Sequence, residues 1–128
     1  MKINHIAIYV FDLEKTKMFY ETYFGGKANA QYHNSKTGLK TYFLSFDDGC
    51  GLEIMTKPNI TEIDNSKEFI GFTHLAFETN SRESVVHLTN RLRSDGYTVL
   101  TEPRITGDGC YLSCVCDPDG NRIEIVNL

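Results

Sequence analysis

The chain has 128 residues, 8 Phe, 7 Tyr, four Cys and a formal net charge of −4. That length suits one domain, and an acidic balance with no Lys/Arg cluster argues against a nucleic-acid partner. No apolar signal segment opens the chain and no run is long enough to span a membrane, so a cytoplasmic protein without a membrane partner is expected.

Residues 3–10 alternate as a strand does, with Ile6, Ile8 and Val10 on one face and Ile3, His5, Ala7 and Tyr9 on the other. Asp12 then suits a helix N-cap. Leu13, Thr16, Phe19, Tyr20, Tyr23 and Phe24 recur at helical spacing before Gly25-Gly26 ends the run. Residues 28–33, a turn at 34–38, residues 41–46, the Asp47-Asp48-Gly49 turn and Leu52-Glu53-Ile54-Met55 follow, and read as three strands joined by hairpin-like connections. The first half is therefore expected to be a βαβββ module over about residues 1–57.

Residues 58–71 contain Pro58 and no clear period, as a linker with at most a short helical turn would. The second module, about 72–128, repeats the order. A strand spans 72–77, and Asn80 with Glu83 forms a capping box. Val85, Leu88 and Leu92 make a helix face closed by Asp95-Gly96, and strands are expected at 98–100, 111–116 and 122–126. Asp117-Pro118-Asp119-Gly120 is the last turn. Phe43, Phe46 and Tyr111 are candidates to line the cleft, with core packing the expected fate of most.

The two halves match at nearly constant offset. His5 and His74 differ by 69 positions, Glu53 and Glu124 by 71. Thr37-Gly38 matches Thr106-Gly107, Tyr42 matches Tyr111, and Asp48-Gly49 matches Asp119-Gly120, which places a two-residue insertion between Tyr111 and Gly120. Such self-similarity marks a duplicated supersecondary unit. Two modules, each too small to hold a core alone, must pair.

A single strand histidine is ordinarily a surface or satisfied one, which is the reading for His33 and His87. His5 and His74 share a repeat position, and so do Glu53 and Glu124. In each last strand the aliphatic neighbours of the glutamate occupy the opposite face, which leaves the carboxylate on the face of the histidine. Pairing the modules would gather two imidazoles and two carboxylates, whose mutual repulsion a divalent cation relieves. Such a nitrogen and oxygen donor set suits Ni, Zn, Co, Mn or Fe. Cys50, Cys110, Cys114 and Cys116 show no CxxC spacing, and Cys114 and Cys116 read as small buried hydrophobes in a strand.

On Asn4-His5-Ile6-Ala7, the Phe19-Tyr20 helix ending in Phe24-Gly25-Gly26, Leu52-Glu53-Ile54, Thr73-His74-Leu75-Ala76-Phe77 and Asp117-Pro118-Asp119-Gly120-Asn121-Arg122-Ile123-Glu124, the chain resembles the vicinal oxygen chelate superfamily. Within it the likeness is to glyoxalase I-like (lactoylglutathione lyase-like) proteins. The resemblance implies an α+β fold of paired βαβββ modules, the glyoxalase/bleomycin resistance/dihydroxybiphenyl dioxygenase-like fold, assembled as a homodimer around a divalent metal. His5, Glu53, His74 and Glu124 match the bacterial glyoxalase I metal ligands at all four positions. Fosfomycin thiol transferases and extradiol dioxygenases typically lack the ligand at Glu53.

The implied activity is a lyase or isomerase acting through an enediolate on a thiohemiacetal or related α-hydroxycarbonyl, with a low-molecular-weight thiol as co-substrate. Glu124 is the expected base, and Glu53 a ligand able to serve the opposite face of the substrate. Where glutathione-dependent bacterial members carry a basic residue and an Asn, this chain has Tyr9 and Lys57. The alternatives are an acyl-thioester epimerase, whose members usually have Gln at the position of Glu53, a thiol transferase, or a non-catalytic drug-binding protein without the quartet.

Overall fold

The computed structural model describes residues 1–47 and 49–128, which form two compact units, Met1–Ile63 and Asp64–Leu128. In the first unit, strand β1 (His5–Tyr9) leads into helix α1 (Leu13–Phe24), followed by β2 (Lys27–Ala28), β3 (Tyr32–His33), β4 (Lys40–Ser45) and β5 (Gly51–Thr56). The second repeats the plan with β6 (His74–Glu78), α2 (Arg82–Ser94), β7 (Val99–Ile105), β8 (Tyr111–Cys116) and β9 (Arg122–Asn127). Each is a βαβββ unit with one mixed sheet. The strand orders are β1-β5-β4-β2, with β3 also on β4, and β6-β9-β8-β7.

In both sheets the first strand runs parallel to the last, while the other neighbours are antiparallel. The helix is the crossover that a parallel pair requires. It covers one sheet face and leaves the other open. In the first unit Leu13, Thr16, Phe19 and Tyr20 of α1 are buried together with Val10, Leu44, Leu52 and Ile54. Tyr42 ties the same layers at their edge by donating to Glu14 Oε1 at 2.5 Å, which holds that carboxyl below its ordinary range. In the second unit Val85, Thr89 and Leu92 of α2 are buried with Ser113, Val115, Ile123 and Ile125. Thr89 donates to the Val85 carbonyl at 2.6 Å, so Ser113 donates its hydroxyl hydrogen to Thr89 Oγ1, also at 2.6 Å.

The caps follow from local chemistry. Asp12 accepts from the Lys15 amide at 2.9 Å, and Gly25 closes α1 at φ 71, a left-handed conformation that glycine adopts without strain. The expected Asn80 cap moves by one residue: Ser81 caps α2, accepting from the Ser84 amide at 3.1 Å. The shorter serine side chain is matched by Ser84, whose hydroxyl lies 3.1 Å from that of Ser81, so the Asn80–Glu83 box is not formed.

Three further expectations change. The second strand of the first unit is broken into β2 and β3, because four chain steps from Ala28 to Tyr32 face three from Leu44 to Thr41. Asn29 spans the break: its amide donates to the Phe43 carbonyl, and its side chain accepts from the Phe43 amide at 2.8 Å. Strand β7 extends to Ile105, well past residue 100, and takes in Pro103 because it lies at the sheet edge and carries two irregularities. Residues 57–72 form turns and bends, without the helical turn.

The insertion also moves. Phe43 faces Glu53 and Cys114 faces Glu124, so β4 and β8 already differ by 71 positions. Tyr42 therefore corresponds to Ser113, and Gly38 (φ 74) to Gly109 (φ 89) rather than Gly107. The offset is 69 where the helices begin (13 to 82), 70 where they end (24 to 94) and 71 at Ala28 and Val99. One extra residue lies in α2 and one in the connection after it. Gly49 and Gly120 are both left-handed, at φ 86 and 84, while Asp48, matched with Asp119 in sequence, lies outside the described residues.

Candidate metal centre

The parallel pairings put each histidine beside the glutamate of its own unit. Ala7 faces Glu53 and His5 faces Gly51, so His5 and Glu53 are diagonal neighbours on the open face of the first sheet. His5 Nε2 is 3.7 Å from Glu53 Oε2. In the second unit Ala76 faces Glu124 and His74 faces Arg122, and His74 Nε2 is 3.3 Å from Glu124 Oε2. The buried neighbours Leu52, Ile54, Ile123 and Ile125 fix this orientation, because a one-residue slip would turn them out to solvent and the carboxylates into the core.

Both pairs are partly open to solvent, with side-chain exposures of 41% and 28% for His5 and Glu53 and 40% and 22% for His74 and Glu124, so an ion can reach them. Two donors each about 2.1 Å from one ion stand about 3.0 Å apart at a right angle and about 3.4 Å apart at a tetrahedral angle. The 3.3 Å pair already has that spacing, and the 3.7 Å pair differs from it by a few tenths of an ångström. The other ring nitrogens are engaged elsewhere. His5 Nδ1 is 2.8 Å from Asn4 Oδ1, and His74 Nδ1 is 2.9 Å from Thr73 Oγ1. Each pair offers an imidazole nitrogen and a carboxylate oxygen, donors that divalent first-row cations take, so the donor chemistry of each unit fits. Among the described residues, no third His, Cys, Asp or Glu joins either pair as a metal-holding cluster.

A family model described as the Glyoxalase/Bleomycin resistance protein/Dioxygenase superfamily matches residues 2–125. The chain belongs to this superfamily. It is 30% identical to a probable trivalent organoarsenical cleaving enzyme of Bacillus subtilis, over 97% of this chain and 78% of that one. It is 28% identical to a lactoylglutathione lyase of Arabidopsis thaliana, over 95% of this chain and 42% of that protein. Among solved structures, a glyoxalase family protein from Enterococcus faecalis aligns with a TM-score of 0.81 at 25% identity, covering 98% of this chain and 96% of that one.

This glyoxalase-superfamily chain surrounds its two His–Glu pairs differently. Phe43, a candidate for either core or cleft, lies on the open face opposite Glu53 and meets His5 edge-on, with ring centroids 5.4 Å apart at 68°. Its β4 parity was a visible signal, since it alternates with the buried Leu44. Cys114 holds the corresponding place in the second unit, opposite Glu124. Burial, and then the Glu124 charge, push its thiol up to about 11. Arg122 lies opposite both His74 and Cys116 and pairs with Glu68 at 3.5 Å. The Lys57 ammonium sits 5.1 Å from the Tyr9 ring centre. Tyr111 faces the Arg82 guanidinium at 5.1 Å, and Phe46 lies over Gly26. His33 and His87 are exposed.

Proposed function

We propose that the protein is a cytoplasmic, metal-dependent lyase or isomerase of the glyoxalase I kind, acting on a thiohemiacetal or related α-hydroxycarbonyl. The observation that carries this reading is the repeated pair: both units present an imidazole Nε2 and a carboxylate oxygen side by side on the open sheet face. His5, Glu53, His74 and Glu124 would hold one divalent ion (Ni, Zn, Co, Mn or Fe), with the two units pairing within one chain or across a homodimer. The bound ion would supply positive charge beside the two neighbouring substrate oxygens as negative charge develops there.

Glu124 takes the proton from the carbon bearing sulfur and hydroxyl and returns it to the adjoining carbonyl carbon. The hydroxyl proton passes to the former carbonyl oxygen, so a thiohemiacetal becomes a hydroxy thioester with no change in composition. Glu53 would hold the ion and is able to serve the opposite face of the substrate. Lys57, held over Tyr9, offers a single cation to an anionic group on the thiol. Likeness to a lactoylglutathione lyase over 95% of this chain supports the reaction class.

The test is metal analysis of protein purified without chelators, followed by thioester formation from thiohemiacetals of several low-molecular-weight thiols. Stoichiometric metal and metal-dependent turnover are expected. Protein that binds none of the five ions would overturn the reading.

A further inference from the structure

We propose that Asn4 is a positioning residue that fixes His5 as the Nδ1–H tautomer and leaves its Nε2 lone pair free for a cation, with Thr73 as a weaker counterpart at His74. The cation part of this statement rests on the metal reading above; the tautomer part does not. A neutral imidazole has one nitrogen that donates and one that accepts, and the hydrogen bond made by one decides the role of the other. Asn4 Oδ1 is an amide oxygen and can only accept. At 2.8 Å from it, His5 Nδ1 must carry the hydrogen. At 3.7 Å, His5 Nε2 is beyond hydrogen-bond reach of Glu53, so nothing at the pair competes for the opposite tautomer.

The second unit repeats the device with a different group. Thr73 Oγ1 lies 2.9 Å from His74 Nδ1. A hydroxyl can accept or donate, and Glu124 Oε2 lies 3.3 Å from His74 Nε2 as a rival acceptor, so the hold on this tautomer is the weaker of the two. Both contacts depend on where the strands begin. Consecutive residues inside a strand point to opposite faces, so a neighbour within β1 or β6 could not reach the ring. Those strands start at His5 and His74, which leaves Asn4 and Thr73 just outside the pleat. The Asn4 carbonyl accepts from the Gly51 amide at 2.9 Å, which anchors its backbone to β5.

The experiment has two readouts. Long-range proton–nitrogen NMR on metal-free protein at about pH 8.5, where histidine is neutral, reports the tautomer of each ring. Co²⁺ titration reports cation affinity. The parent should show Nδ1–H at His5, and a smaller excess of it at His74. Asn4→Leu should shift His5 toward Nε2–H and weaken Co²⁺ binding by about 10–100-fold, the usual range for losing a partner of a liganding histidine. Asn4→Asp, which keeps an acceptor, should restore the tautomer and bring affinity within a few-fold of the parent. Thr73→Val should act more mildly on His74, with Thr73→Ser restoring it. Unchanged thermal midpoints separate these effects from a loss of fold. An Nε2–H tautomer at His5 in the parent, or Asn4→Leu with both tautomer and affinity unchanged, would overturn the proposal. A parent that holds Nδ1–H yet binds no Co²⁺ would instead defeat the metal reading and leave the positioning role supported.

Discussion

Gly51 lies beneath the ring of Phe43, so close that a Cβ at this position would collide with Cζ and Cε1 of that ring. The same ring meets His5 edge-on, and His5 faces Gly51 across the parallel β1–β5 pair. A hydrogen atom in place of a side chain thus lets an aromatic wall stand beside the imidazole. Gly51→Ala should cost about 1–3 kcal/mol in urea unfolding, the usual range for overpacking, although Ala ordinarily suits a strand better than Gly. Adding Phe43→Leu should recover part of that loss. A Gly51→Ala protein as stable as the parent would show that the ring moves aside freely.

The two glutamates should differ in turnover. Glu124→Gln keeps an oxygen near the ion but removes the proton acceptor, so kcat should fall by about 10²-fold or more at saturating metal. Glu53→Gln should be milder. Metal content must be measured on each sample, because both variants lose a negative charge. The reverse ranking would transfer the role of base to Glu53.

The buried hydroxyls Thr89 and Ser113 form a closed chain ending on the Val85 carbonyl. Ser113→Ala or Thr89→Val alone leaves one polar group with a broken chain and should cost about 1–3 kcal/mol. The double variant should cost less than the two losses added, which a double-mutant cycle in chemical denaturant would read. Strict additivity would mean the two hydroxyls do not depend on each other.

Cys114 gives a pH dependence. Its thiol ionises at about 11 when folded, against an ordinary value of 9.0. Between those values the unfolded chain loses the proton while the folded protein keeps it, so stability is full below pH 9 and falls as pH rises toward 11. Cys114→Ala should flatten that part of the curve. The thiol should also alkylate slowly at pH 8 for want of thiolate. Alkylation at the rate of a free thiol would contradict the burial.

Assembly can be weighed directly. A homodimer of two 14.6 kDa chains sediments at 2 × 14.6 = 29.2 kDa at micromolar concentration. A monomer there would remove a site shared between subunits.

Much of this protein is written in its local pattern. The βαβββ order, Asp12 as a cap, Gly25 and Gly96 as helix endings, and the opposite facing of Glu53 and its aliphatic neighbours all follow from period and turn chemistry, which act within a few residues. The repeat singled out His5, Glu53, His74 and Glu124 because coincidence at matched positions needs no coordinates. Register is different, since it is settled by which strands pair. Only the pairing of β1 with β5 and of β6 with β9 put each histidine diagonal to its glutamate. Only the β4–β5 and β8–β9 registers showed that Tyr42 corresponds to Ser113 and that the two extra residues precede β7. The Phe43 ring over Gly51, Cys114 beside Glu124, and the Asn4 and Thr73 oxygens at the imidazoles were decided by the folded structure, because each depends on the register in which two strands pair or on where a strand happens to begin.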